Sequence, residues 1–251
     1  MATFVDLHCH WVAGIDDGAK TTDEGLAMLT GLGELGFEHV VATPHMRPGL
    51  FDNDRPRLQA AYQRMLPALA GAPALPRVSL ASEHFFDETV VARIHAGEGL
   101  PYRAQRDAPG PRTSGPILVE FADLVPRAPI LRQLFRLQAE GYTPVIAHPE
   151  RYRATWAEPE LVVEWVEAGC SALLDVCALV GKYGAQPQKA AQKLLELEAY
   201  DAACSDAHRP SDIPLVAAAL ERLDRQAGRA ELDFLLGSGP RAILHGERLT
   251  R

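Results

Sequence analysis

The sequence predicts an α/β fold, a parallel barrel of seven strands. Three observations carry this. Seven short apolar runs are spread between residues 3 and 204, amphipathic segments separate them, and nearly every run leads into a histidine or a carboxylate. Short runs that are apolar throughout suit strands covered on both faces. Strands that alternate with helices pair in parallel. Seven such units in about 200 residues make a barrel one unit short of the eight-stranded form.

The elements follow in order. The first strand, residues 3–7, runs into Asp6-Leu7-His8-Cys9-His10, and Ile15-Asp16-Asp17-Gly18 comes next. Thr21 and Glu24 have the spacing of a capping box. Leu26, Leu29, Leu32 and Leu35 then recur at three-residue steps, and Gly36 marks the stop. The second strand, 39–42, leads to Thr43-Pro44-His45, and a helix is predicted over 53–69. The third, 78–81, precedes Ser82-Glu83, and the fourth, 117–119, precedes Glu120. After a helix over 130–140, the fifth strand, 144–147, opens His148-Pro149-Glu150-Arg151. Helices over 159–168 and 186–198 flank the sixth strand, 172–176. The seventh, 202–204, ends in Ser205-Asp206-Ala207-His208, before a helix over 213–226. Residues 97–115 break the rhythm: they are rich in Gly and Pro, carry Arg103, Arg106 and Arg112, and read as a long loop. With the chemistry-bearing residues spread from 8 to 208 and no internal repeat, residues 1–251 read as a single domain.

Composition narrows the function. A net charge of −8 argues against a nucleic-acid-binding surface. No apolar run approaches the roughly 20 residues that span a bilayer, so no membrane insertion is expected. The N-terminus lacks a signal peptide's basic stretch and apolar core. Cys9, Cys170, Cys177 and Cys204 form no Cys-x-x-Cys pair and no disulfide pattern, so a cytoplasmic location is expected. Cysteine-dependent phosphatases place an arginine shortly after their nucleophile. Here the corresponding positions hold Ile15, Val176, Tyr183 and Pro210, so the sequence does not support that chemistry.

The histidines and carboxylates point to metal. Alternation along a strand turns His8 and His10 the same way. With Asp17, His45, Glu83, Glu120, His148, Asp206 and His208 they make a candidate set of five imidazoles and four carboxylates. Such a set suits manganese, iron or zinc better than magnesium or calcium. It exceeds what one tetrahedral ion uses, so two or three ions are implied. Their net positive charge would hold a bridging hydroxide and attract a phosphate dianion. His39, His84, His95 and His245 fit no motif. His84 should point away from Glu83, Cys9 should pack as a small apolar group, and Asp175 is an alternative ligand.

These segments carry a family signature. The chain resembles the polymerase and histidinol phosphatase (PHP) superfamily. Within it, the chain is most similar to the bacterial capsule-type (CpsB/CapC) metal-dependent protein-tyrosine phosphatases. The resemblance rests on DLHCH, GIDDGAKT, VATPH, ILVEF, GYTPVIAHPERY and SDAH, and extends to Gly239-Pro240-Arg241-Ala242-Ile243-Leu244. It implies a distorted seven-stranded (β/α) barrel holding three divalent ions, often manganese, with iron, zinc and magnesium as alternatives. The implied substrate is phosphotyrosine on the tail of a bacterial tyrosine kinase that controls capsule or exopolysaccharide synthesis or export, hydrolysed by a metal-bridging hydroxide. The family ligands fall on the nine residues above. The phosphate-holding arginine falls on Arg151, whose fork suits two phosphate oxygens. A second arginine falls near Arg209, though Pro210 follows it and the register differs.

Two further departures concern Asp175, where relatives commonly carry Asn, and the 97–115 loop, which is longer than usual. The three arginines of that loop either attract a phosphorylated tail or decorate a plain connector. Competing readings are a histidinol phosphatase or other small-molecule phosphomonoesterase, an amidohydrolase, and a non-catalytic scaffold. None of Lys20, Lys182, Lys189 and Lys193 ends a predicted strand, unlike the lysine amidohydrolases commonly use, and the full ligand set argues against a scaffold. Oligomeric state is not readable from the sequence.

Overall fold

The computed structural model describes residues 3–72, 74–102, 114–122 and 127–247. Among them nine strands and ten α-helices follow one another. They are β1 (Phe4–Cys9), α1 (Thr22–Glu34), β2 (Phe37–Ala42), β3 (His45–Met46), α2 (Arg55–Ala70), β4 (Arg77–Leu80), β5 (Glu83–Phe85), α3 (Glu88–His95), β6 (Gly115–Glu120), α4 (Arg127–Ala139), β7 (Tyr142–Ala147), α5 (Arg153–Ala157), α6 (Glu160–Glu167), β8 (Ser171–Asp175), α7 (Ala185–Glu196), β9 (Ala202–Cys204), α8 (Ile213–Ala227), α9 (Arg229–Asp233) and α10 (Gly239–His245).

All strand pairing is parallel. One sheet has the order β1-β2-β4 and the other β3-β5-β6-β7-β8-β9. The predicted strand runs fall on β1, β2, β4, β6, β7, β8 and β9. The short strands β3 and β5 were not anticipated. Each follows a longer strand after two residues and changes sheet. Pro44, which has no N–H to give a ladder, sits in the first break. The sheets meet again where Cys9 bridges to Ala207, with the Asp206 N–H donating to the His8 carbonyl at 3.0 Å and the His10 N–H to that of Ala207 at 2.9 Å. The first strand also runs further than predicted, through His8 and Cys9, and the sixth stops at Asp175 because Val176 begins a 3-10 turn.

The predicted helices form with shifted ends. Thr21 caps α1 by accepting from the Glu24 N–H at 3.2 Å, while Glu24 turns back to the Lys20 N–H at 2.7 Å. Asp54 caps α2, so that helix starts at Arg55 rather than at 53. Helices α3, α5, α9 and α10 lie outside the predicted ranges.

Strand alternation divides the core. Val5, Leu7, Leu118, Val145, Leu173 and Ala202 form an inner cluster closed by Tyr102, Ile243 and Leu244. Phe4, Val40, Ile117, Ile146 and Leu174 pack with the helices in an outer one. Each such buried side chain contributes about 1.5–3 kcal/mol. His84 turns away from the ligands: its Nδ1–H donates to the Leu118 carbonyl at 2.8 Å and its Nε2 accepts from the Leu100 N–H at 3.0 Å. Of the predicted 97–115 loop, Arg103, Arg106 and Arg112 lie outside the described residues. Its described flank is tied to the start of β6 by the Tyr102 N–H donating to the Pro116 carbonyl, and to β1 by the Tyr102 hydroxyl donating to the Leu7 carbonyl. That is the opposite end of β6 from Glu120.

Candidate metal centre

The C-terminal ends of the strands deliver the candidate ligands to one place. His8 lies near the end of β1 and His10 just beyond it. His45 opens β3 and pairs in register with Glu83, which opens β5. Glu120 ends β6, His148 follows β7, and Asp206 and His208 follow β9. Asp17 arrives on the loop before α1. Pairing of β1 with β2 shifts register between Asp6 and Cys9. There the buried Asp6 carboxylate accepts from the backbone N–H groups of His8 and Ser205. Burial, outweighing these hydrogen bonds, raises the Asp6 carboxyl to about 6.

The side chains meet closely. His8 Nε2 lies 3.0 Å from His10 Nε2 and 3.3 Å from both Glu83 Oε2 and Asp206 Oδ1. Glu83 also reaches His45 Nδ1 at 2.8 Å and His148 Nε2 at 3.0 Å. Asp17 Oδ1 stands 3.4 Å from His45 Nε2 and 3.5 Å from His208 Nε2. All nine candidate ligands fall into overlapping groups whose donor atoms lie within 4.8 Å of one another: His10, Asp17, His45 and His208; His8, His148 and Asp206; His8, His10 and Glu83; His45, Glu83 and Glu120.

The donor set fits metal ions. Glu120 Oε2 and Asp206 Oδ1 are buried without a hydrogen-bond partner among the described residues, a costly arrangement unless a cation sits among them. His10 Nδ1 pairs with the ionised Asp16 at 2.8 Å, which fixes the ring and turns its Nε2 toward the cluster. The His8 and His10 Nε2 atoms, 3.0 Å apart, are near enough that both could hold one ion.

Among the protein groups alone, protons on the imidazoles balance the clustered carboxylates where a cation would. Burial raises the Glu83 and Asp206 carboxyls, yet the surrounding imidazoles, with Arg151 beside Asp206, hold both well below the usual range. Burial and the neighbouring Glu83 push Glu120 up to about 7. Burial lowers His10, but Asp16 overrides it and brings the imidazole to about 10.

Two candidate ligands have left-handed backbone, His148 at φ 33° and Asp206 at φ 42°. Such residues cost about 1–3 kcal/mol each and gather at functional sites. The Leu173 and His8 carbonyls hold them by accepting from their N–H groups. Gly18 passes so close to β1 that a Cβ there would lie 2.2 Å from the His10 carbonyl oxygen.

Arg151 donates to Asp206 Oδ2 at 2.8 Å and lies 4.4 Å over the Tyr183 ring. It lines a cleft of about 110 Å³ together with Asp17, His45, Arg47, Leu50, Phe51, Glu83, Glu120, His148, Asp206 and His208. Arg209 is exposed and does not line that cleft. It lines a wider neighbour of about 410 Å³ that shares Asp17, Arg151 and His208 and adds Lys182, Tyr183 and Leu215. Asp175, the alternative ligand, joins none of the groups. Its Oδ1 accepts from the Cys177 N–H at 2.8 Å, and burial and Asp206 raise it to about 7. All four cysteines are buried, and burial raises every thiol, Cys170 to about 12. Sequence reasoning missed Asp16, Arg47, Lys182 and Tyr183. Only Asp16 carried a signal, as the other half of an Asp-Asp pair.

A family model described as capsular polysaccharide synthesis, CpsB/CapC, matches residues 4–245. The chain belongs to the CpsB/CapC family. It is 30% identical over 250 residues to the tyrosine-protein phosphatase YwqE of Bacillus subtilis, covering 98% of this chain and 94% of that protein. It is 25% identical over 250 residues to the tyrosine-protein phosphatase CpsB of Streptococcus pneumoniae, covering 96% and 98%. A crystal structure from work on YwqE and CpsB, described as unique metal-dependent tyrosine phosphatases, aligns with a TM-score of 0.84 at 26% identity, over 98% of this chain and 96% of the other. A phosphotriesterase homology protein of Escherichia coli shares the fold alone, with a TM-score of 0.58 at 12% identity over 97% and 99%.

Proposed function

We propose that this CpsB/CapC-family chain hydrolyses phosphotyrosine on a protein, with the nine clustered residues holding three divalent ions, manganese by preference. The family makes the chain a phosphoric monoester hydrolase of the tyrosine-phosphatase kind. The single observation that carries the mechanism is Arg151, whose guanidinium stands 2.8 Å from Asp206 and faces the same cleft as the candidate metal ligands. Divalent ions bound there would supply Lewis acidity, lowering the pKa of a water and neutralising phosphate charge.

The chain's own groups do the rest. Arg151 binds the phosphoryl oxygens with its fork, braced by Asp206 and by the Tyr183 ring. Asp16 orients the His10 imidazole. Burial of all four thiols supports a mechanism without a cysteine nucleophile.

The partner in this reading is the phosphorylated tail of a bacterial tyrosine kinase acting in polysaccharide synthesis or export, in the cytoplasm. Free cysteines and the family's capsular description support it. No helix among the described residues is long and apolar enough to cross a membrane. The accompanying fold is one domain, a distorted seven-stranded barrel in which β2 with β3 and β4 with β5 each count as one interrupted strand. The Cys9 to Ala207 bridge supports closure. Elemental analysis of the purified protein, with turnover measured on a phosphotyrosine peptide and on histidinol phosphate, tests the whole reading. Preference for histidinol phosphate would replace the protein substrate with a small one.

A further inference from the structure

Among the described residues three large apolar side chains stand exposed: Leu50 at 62%, Phe135 at 56% and Leu215 at 39%. A lone exposed leucine is ordinary. Leu50 is set apart by its place and its support, because it lines the cleft that holds the candidate ligands.

It rides on a tight turn. The Arg47 N–H donates to the Phe51 carbonyl at 3.2 Å, and the Arg47 carbonyl accepts from the N–H groups of Phe51 at 2.7 Å and Leu50 at 3.2 Å. Gly49, at φ 83°, makes the corner, and its N–H donates to Asp52. Asn53 ties the following chain down by donating to the carbonyls of His45 and Ile15. The Phe51 ring lies parallel to the His45 imidazole, centroids 5.1 Å apart, and the Arg47 guanidinium lies 4.0 Å over the Phe85 ring. Two side chains of the turn are therefore committed to neighbours. The rigid loop holds the third, an apolar one, at the mouth of a strongly polar cleft.

That combination matches a substrate with a phosphate at one end and a flat apolar group directly behind it. We propose that Leu50 is a specificity-determining residue that packs on the aryl ring of the phosphomonoester while Arg151 holds its phosphate. This deepens the phosphotyrosine reading and rests on it. An aryl ring extends from the phosphate to the mouth of the cleft and removes Leu50 from water. The short alkyl chain of a serine phosphate leaves it exposed. The site thus gains affinity for aryl over alkyl phosphates at a residue that is not itself a candidate ligand.

Leu50→Ser tests this, with Leu50→Met as the apolar control. Binding of phenylphosphonate and of inorganic phosphate is measured by calorimetry on the metal-loaded protein, and kcat/KM on a phosphotyrosine peptide. In Leu50→Ser, phenylphosphonate affinity and peptide kcat/KM should each fall about five- to tenfold, with phosphate affinity unchanged. Leu50→Met should stay near wild type. Unchanged phenylphosphonate affinity, or parallel weakening of both ligands, overturns the proposal. If wild type hydrolyses phosphotyrosine while Leu50→Ser leaves the ratio of the two affinities unaltered, the inference alone fails. If wild type does not hydrolyse phosphotyrosine, the phosphatase reading fails and takes the inference with it.

Discussion

Replacing Asp16 should weaken metal binding although Asp16 is not one of the nine candidate ligands. Three donors converge on its carboxylate. Oδ2 accepts from His10 Nδ1 at 2.8 Å and from the His45 N–H at 3.0 Å, and Oδ1 accepts from the Gly18 N–H at 2.9 Å. Burial raises this carboxyl, but the charge and hydrogen bond of His10 bring it below its ordinary value, so it is ionised at neutral pH. Asp16→Asn can keep its amide oxygen where Oδ2 stood, preserving two bonds in weaker neutral form and turning an NH₂ toward Gly18. Asp16→Ala loses all three. Removing a carboxylate that orients a metal-bound histidine typically costs 10- to 100-fold in affinity. We therefore expect about tenfold for Asn and about a hundredfold for Ala, or roughly 1.4 and 2.7 kcal/mol.

The loop itself should survive the change. The Ala19 N–H still donates to the His10 carbonyl at 2.9 Å, and Gly18 still packs against β1. The effect should thus reach the His10 ring rather than the fold. Metal content after dialysis against graded chelator reads the affinity, and calorimetric Tm reads the fold. Wild-type metal retention in Asp16→Ala, with Tm unchanged, would refute the idea that Asp16 sets the orientation of His10.

Arg151→Ala should keep its metal while kcat/KM on an aryl phosphate drops about 10²- to 10³-fold, whereas His10→Ala should lose metal and turnover together; equal metal loss in both would end the division of roles. Converting Cys9, Cys170, Cys177 and Cys204 to Ala should leave appreciable turnover, and a phospho-enzyme trapped on any side chain of the native protein would contradict this. Burial and the nearby Asp175 raise the Glu150 carboxyl from 4.5 to about 8. Between those values the folded chain binds more protons than the unfolded one, so this group makes stability fall as pH rises through that window. Glu150→Gln, which can keep the bond from the Asp175 N–H, should flatten that decline, and Tm profiles from pH 5 to 9 that run parallel in the two proteins would count against it.

The periodic parts of the fold were readable because burial on two faces writes itself as an apolar run. The seven predicted runs all became strands. Strands β3 and β5 left no such trace: at two and three residues they are too short for any period, and they exist because the chain restarts pairing after Pro44 and Ser82. The convergence of the ligand-type side chains was equally readable, since all but Asp17 stand just where an apolar run stops. The aperiodic loops hid the rest. Asp16 and Asp17 are adjacent and chemically identical. Yet one is buried against His10, while the other is 53% exposed and touches only the outermost imidazoles. Nothing in the residue types separates them. The division follows from how the loop turns at Gly14, φ 70°, and presses Gly18 on His10. The left-handed His148 and Asp206 make the same point. Asp and His take positive φ more readily than most residues, but nothing in the sequence says which of them will, and both are held there by carbonyls of neighbouring strands. The orienting groups of the site therefore come from tertiary placement: Asp16 meets His10, Gly18 and the His45 N–H across its own loop and β3, and Tyr183 and Lys182 meet Asp206 beyond β9.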